Sequence, residues 1–173
     1  MKLQEEQSRL QPPQVLDLVS WGNYTFSREP FAKVSEDLLE FIEDHHAEAG
    51  QFKDEVPLDM DWNGMFHYES VGKLLSFAVR LKEGGAMLGY GVFILTPTLH
   101  AKSTIHAICD ALYLRPEYRQ GLLGIKFIDF CEAHVRQAGA AVVHLVMKTD
   151  PRMARVLERS GHRIYEVTYM KVL

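Results

Sequence analysis

The stretch Leu112-Tyr113-Leu114-Arg115-Pro116-Glu117-Tyr118-Arg119-Gln120-Gly121-Leu122-Leu123-Gly124 has the residue types of an anion site. An apolar run leads into a short loop with Pro, two Arg and two Gly. An amphipathic segment follows, Ile125-Lys126-Phe127-Ile128-Asp129-Phe130-Cys131-Glu132. Strand, glycine-containing loop and helix start together leave the N–H groups of the first helical turn pointing outward. Glycine lets a ligand approach the backbone closely. Arg115 and Arg119 add positive charge, so the ligand this pattern suits is a phosphate or pyrophosphate. A P-loop is excluded, because no Gly-Lys-Ser/Thr follows. A dinucleotide fingerprint is excluded too, because Gly-x-Gly-x-x-Gly is absent. A solvated surface turn that happens to contain two glycines is the competing reading.

Upstream of that loop stand two groups able to move protons. Asp110 is the only carboxylate between Gly85 and Glu117, in a run that is otherwise nearly all apolar. A charge there is costly unless paired, which frees its pKa to rise. If no bulge intervenes, strand alternation puts His106, Ile108, Asp110, Leu112 and Leu114 on one face. His106 is then the natural partner of Asp110, or the base itself, since imidazole titrates near neutrality. A structural role, with Asp110 bonding loop backbone or Lys102, is the equal alternative.

The surrounding elements follow from periodicity and punctuation. Residues 1–34 are expected to form an N-terminal arm packing on a domain of residues 35–173. Gln11-Pro12-Pro13-Gln14 is extended, and Val15 to Val19 forms a short first strand. A helix capped by Ser35 ends at Gly50, with Leu38, Ile42 and Ala49 on one face. His45 and His46 are adjacent and read as surface or rim residues. A second helix runs from near Asp59 to about Ser70, burying Trp62, Met65 and Phe66. Leu75, Phe77, Val79 and Leu81 alternate with smaller or polar residues as a strand. Lys82-Glu83-Gly84-Gly85 turns the chain into a second strand through Leu88, Tyr90, Val92 and Ile94. On that strand Gly89 and Gly91 leave room on the opposite side. After a loop from Thr96 to Lys102, a third strand from about Thr104 to Leu114 enters the anion loop. The next helix carries Phe127, Phe130, Cys131 and His134 and ends at Gly139. Val142 to Met147 is a strand parallel to the one before the helix. Asp150-Pro151 opens a last helix that ends at Gly161. Arg163 to Leu173 is a final strand. The predicted class is α/β, with a mixed, mainly antiparallel sheet and one parallel strand pair.

Composition bounds the partners. The 173 residues are 47% hydrophobic, enough for one domain with a real core. A formal charge of -4 argues against broad nucleic-acid binding. Cys109 and Cys131 read as buried thiols without metal-ligand spacing, and no metal site is expected. The polar start Met1-Lys2-Leu3-Gln4-Glu5-Glu6 and the lack of a membrane-length apolar run place the chain in the cytoplasm.

The loop from Arg119 to Gly124 resembles motif A of the GNAT superfamily of N-acetyltransferases, Arg/Gln-x-x-Gly-x-Gly/Ala. Arg119 matches its first position and Gly124 its last. Leu122 stands at the inner glycine, and Gly121 comes one residue early. The element order over residues 35–173 is similar to the GNAT fold, and the wording around Leu99 to Thr104 and Asp110 to Leu114 looks most like phage-encoded members. The resemblance implies acetyl-CoA as cofactor and an amine, small molecule or protein, as acceptor. It places the pyrophosphate on Arg119, Gln120, Gly121, Leu122, Leu123 and Gly124. It places pantetheine along the backbone of Leu112, Tyr113 and Leu114, in a gap facing Leu145 to Met147, with one N–H serving as oxyanion donor. It also implies a carboxylate base on the Asp110 strand. Asp150 and Leu157 stand where many members have an Asn and an acidic Tyr, so the usual acid is missing. Tyr169 and Tyr165 are substitutes, or plain sheet aromatics. The missing acid leaves open a catalytically silent acyl-CoA-binding module. The short C-terminal segment, with Tyr165, Val167, Tyr169, Val172 and Leu173 near a sheet edge, predicts a homodimer.

Overall fold

The computed structural model describes residues 16–50, 52, 54–146 and 150–172. The readings for Gln11 to Gln14, Val15, Met147 and Leu173 lie outside them. Six strands form one sheet in sequence order: β1 (Leu18–Trp21), β2 (Tyr24–Glu29), β3 (Leu74–Leu81), β4 (Met87–Thr98), β5 (Ala101–Leu114) and β6 (Ala140–His144). Neighbours from β1 to β5 are antiparallel, and β5 with β6 is parallel. The helices are α1 (Phe31–Leu38), α2 (Ile42–Ala49), α3 (Trp62–Ser70), α4 (Leu123–Gln137) and α5 (Pro151–Arg159). A short 3₁₀ turn spans Pro116–Tyr118.

Both faces of the sheet are covered, which is why β3 buries consecutive residues rather than alternate ones. On one face α4 lays Leu123, Phe127, Phe130, Cys131 and Val135 against Phe77, Phe93 and Cys109. On the other, Phe31, Val34 and Leu38 of α1 meet Leu74, Ala78, Tyr90, Val92 and Tyr113, with Trp62 and Met65 of α3 beside them. A polar knot pins α1 to the sheet edge-on. Arg80 of β3 grips Glu29 of β2 at 2.7 and 2.9 Å and Asp37 of α1 at 2.6 Å. Ser27 donates to the same Glu29 carboxylate at 2.7 Å. Burial alone would raise the Glu29 carboxyl, but the bonds from Arg80, Ser27 and Lys33 outweigh it and hold the group down at about 2.

Several expectations are corrected. Residues 18–29, read as part of an arm, supply the first two sheet strands. The first helix begins at Phe31 rather than after Ser35, whose hydroxyl donates back to Ala32 O inside the helix. The chain then breaks at Leu39–Phe41, so one expected helix is two. α3 starts at Trp62, a little beyond the start expected near Asp59, with Asp61 capping it by accepting from Gly64 N. The expected loop from Thr96 to Lys102 is a tight turn at Leu99–His100 between β4 and β5. Gly89 and Gly91 leave no vacant room: a Cβ at Gly89 would sit 2.4 Å from Tyr113 O, and one at Gly91 would meet Leu112 Cδ1 at 3.3 Å. No strand forms over residues 163–172 among the described residues. Among the described residues the segment pairs with no strand, and its large apolar side chains are exposed.

Candidate active site

The central feature is the end of the parallel strand pair. β5 and β6 are in register from Ile105/Ala140 to Ile108/His144, and the pairing stops there among the described residues. From Cys109 to Leu114, β5 has β4 on one side and, among the described residues, no strand on the other. The strands therefore part at the end from which β5 runs into the anion loop.

A bulge sits in β5 at the same place. Val92 pairs with Ala111 and Phe93 with Cys109, so Asp110 is the extra residue. The bulge breaks the alternation assumed for the strand. His106 and Ile108 share a face with Ala111 and Tyr113, while Leu112 and Leu114 turn to the α4 face with Ala107 and Cys109. Asp110 keeps solvent contact and has no side-chain hydrogen bond or ion pair among the described residues. Desolvation by the surrounding strand still raises its carboxyl above the ordinary carboxylate range. Its charge also adds to the cost of ionising Tyr90 and Cys109, whose groups burial has already pushed up, Cys109 to about 12.

The expected His106–Asp110 pair does not form. His106 Nδ1 instead shares a hydrogen bond of 2.7 Å with His144 Nε2 across β5 and β6, just before the strands part. Tyr169 lies in the unpaired C-terminal segment, 93% exposed, and Tyr165 is 88% exposed, so neither stands on a sheet strand. Leu157, at the position where a phenol was sought, is buried and apolar.

The anion loop is built by three local features. Arg115-Pro116 starts the 3₁₀ turn, because proline presets the first-turn dihedral. Gly121 adopts φ +67, a conformation costly for any residue with a Cβ, and reverses the chain into α4. α4 then begins behind Leu122 with no side chain capping its first N–H groups, whereas Asp61 and Asp150 cap α3 and α5. Gly124, second residue of α4, opens on space: a Cβ there would meet only Leu114 Cδ2, at 4.0 Å. Uncapped donors beside an unfilled approach are what a phosphate requires. Gln120, Leu122 and Leu123 complete the loop, with Leu122 exposed and Leu123 anchored in the core.

Arg119 is held in the loop by several bonds. Its Nε donates to Leu114 O at 2.6 Å, and its guanidinium takes the Glu48 carboxylate in a bidentate pair at 2.5 and 2.6 Å. It also lies 5.2 Å from the centre of the Tyr113 ring. Two contacts were not readable from the sequence. His45, expected at the surface or rim, is half-buried, with Nδ1 2.5 Å from Tyr90 Oη, and burial lowers its pKa. His45 and Glu48 are three apart, one helical face, which was visible. Their partners lie tens of residues away and were not.

The acetyltransferase (GNAT) family model matches residues 36–162. No curated protein sequence matches. Among solved structures, an aminoglycoside acetyltransferase from an uncultured soil metagenomic sample is 13% identical, with TM-score 0.65 over 87% of this chain and 97% of that one. Glucosamine-6-phosphate N-acetyltransferase from Arabidopsis thaliana is 12% identical, with TM-score 0.64 over 87% and 99%. Ribosomal-protein-alanine N-acetyltransferase from Brucella melitensis is 12% identical, with TM-score 0.61 over 88% and 99%. At such identities these likenesses speak for the fold, and it is the family match over most of the chain that makes this protein a member of the GNAT acetyltransferase family.

Proposed function

We propose that this protein transfers the acetyl group of acetyl-CoA to a primary amine. The observation that carries the proposal is the coincidence of three features at one place: the parting of β5 and β6, the bulge at Asp110, and the uncapped start of α4 behind Gly121. The residues present fit the cofactor, since the loop offers donors and the space over Gly124 is open. Backbone N–H groups of residues 120–124 would hold the pyrophosphate, and the free edge of Leu112 to Leu114 would align the pantetheine arm. When bound, the cofactor supplies an activated thioester.

The chain's own groups then have defined tasks. An amine attacks only when neutral, so a base must take its proton. Asp110, with a raised pKa, solvent access and no side-chain partner among the described residues, is suited to do so directly or through water. A backbone N–H freed at the bulge is placed to receive the charge that grows on the acetyl oxygen. The amine nitrogen would take the acetyl group as CoA leaves as its thiol, the proton that Asp110 removes from the amine balancing the one the sulfur gains. The structural alternative for Asp110, a bond to loop backbone or Lys102, has no such bond to support it among the described residues. Names of similar structures include aminoglycoside, glucosamine-6-phosphate and ribosomal-protein-alanine acetyltransferases, which all have amine acceptors, and this supports an amine here.

One observation favours a second reading. Buried Leu157 and exposed Tyr169 mean that neither position expected to supply the acid for the thiolate brings a phenol to the site, as a silent acyl-CoA-binding module would have it. A homodimer is part of the proposal as well. β6 is a sheet edge, and Ile164, Tyr165, Val167 and Tyr169 are exposed on an unpaired extended segment. A thermal-shift titration with acetyl-CoA, followed by thiol release on an amine panel, separates the readings. Stabilisation with turnover supports the enzyme, and stabilisation without turnover supports the silent module. No stabilisation by acetyl-CoA or CoA refutes both.

A further inference from the structure

Both arginines flanking the anion loop already face carboxylates from the α1–α2 segment. Glu48 of α2 engages Arg119 through two bonds, and Glu40 approaches Arg115 Nη2 at 3.4 Å. Arg115 is also 4.5 Å from the centre of the Phe41 ring, and its buried Nε has no partner among the described residues. α2 itself contributes no fully buried residue, and it rests over Tyr90 and Tyr113 through His45, with Ile42 packed against the same cluster. A carboxylate held in two bonds on a guanidinium has the geometry of a phosphate bound there.

We propose that Glu48 is an internal competitor for the phosphate site, occupying Arg119 until a pyrophosphate takes the guanidinium and releases α2. The proposal rests on the reading that CoA phosphates bind this loop. A pyrophosphate carries more charge and more acceptor oxygens than Glu48, and it also meets the N–H groups of α4. Glu48 is 47% exposed in its side chain, so its release into water costs little. Because His45 lies on the same face of α2, loss of the Glu48 contact loosens the cover over Tyr90 and Tyr113. Binding at the loop is thereby coupled to opening of the sheet face beside the free end of β5, where an acceptor must come.

The test measures CoA affinity by calorimetry in the wild type, Glu48→Gln, Arg119→Ala and the double variant, with amide hydrogen exchange of α2 as a second readout. Glu48→Gln should bind CoA roughly 1.5- to fivefold more tightly, the range open to a half-exposed ion pair. Its α2 amides should exchange faster without ligand, as those of the wild type do once CoA is bound. On the Arg119→Ala background the same substitution should change nothing. If it tightens CoA binding there as well, simple repulsion between Glu48 and phosphate is at work and the competitor is overturned. If CoA binds the wild type but Glu48→Gln alters neither affinity nor exchange, the competitor is overturned and the cofactor reading stands. If CoA fails to bind, inorganic pyrophosphate serves as the probe. Faster α2 exchange with pyrophosphate retains the competitor without CoA, and no effect overturns both.

Discussion

Replacing Gly124 with alanine separates the demands of the fold from those of the ligand, because the structure predicts opposite signs for them. Gly124 is in the first turn of α4, and a Cβ would make one ordinary contact, with Leu114 Cδ2 at 4.0 Å. Among the described residues nothing resists the methyl. Alanine should therefore stabilise the helix by about 0.5–1 kcal/mol, the usual difference from glycine. For a chain of this size that is a melting temperature higher by roughly 1–4 °C. The same methyl occupies the space through which a phosphate would reach the first N–H groups of α4. Loss of one charge-assisted hydrogen bond costs about 1.5–3 kcal/mol, which is a roughly tenfold to hundredfold weaker CoA affinity. Gly124→Val should be worse for binding and, being β-branched, less helpful to the helix. Calorimetric titration with CoA and a melting curve on the same sample give both quantities. A stabilised variant with unchanged CoA affinity would show that Gly124 is a turn residue and that phosphates do not come near it.

Three further outcomes follow from the same geometry. Asp110→Asn should lower turnover by roughly 10²–10⁴ while leaving CoA affinity and melting temperature nearly unchanged. The raised pKa of Asp110 puts the acidic limb of the wild-type rate profile above the ordinary carboxylate range, and that limb should disappear in the variant. Lost stability with normal turnover per folded molecule would make Asp110 structural. Glu29 behaves oppositely with pH. Its carboxyl is depressed from 4.5 to about 2, so its stabilisation is present above 4.5 and is lost as pH falls toward 2. Taken at face value that shift is on the order of 3 kcal/mol, so Glu29→Gln should flatten the acid limb of the stability curve, and an unchanged limb would discount the Arg80 knot. Light scattering should give the mass of a dimer, and a monomer mass well above assay concentration would remove the homodimer.

What was legible in the sequence was what depends on neighbours along the chain. Asp150-Pro151 marked the start of α5, Gly84-Gly85 the β3–β4 turn and Gly139 the end of α4, because caps and turns are settled within a few residues. The course of the loop from Arg115 to Gly124 was visible for the same reason. The bulge was not, since Asp110 becomes the extra residue only through the register of β4 against β5. One inserted residue reverses the faces of everything beyond it, so Leu112 and Leu114 were assigned to the wrong side. Partner choice was equally hidden. His106 found His144 on the neighbouring strand rather than Asp110 on its own, and Arg119 found Glu48 across 71 residues. The last segment had the alternation of a strand, but alternation alone supplies no neighbour to pair with.

The most direct test of the proposed activity follows an acetyl label and the CoA thiol together. Purified protein is given acetyl-CoA labelled in the acetyl group and a panel of amines, extending to cell extract, with release of thiol measured alongside mass spectrometry of the products. The proposal predicts label on an amine nitrogen, released in step with thiol and suppressed in Asp110→Asn. Tight binding of acetyl-CoA with no label transferred to any amine would contradict it.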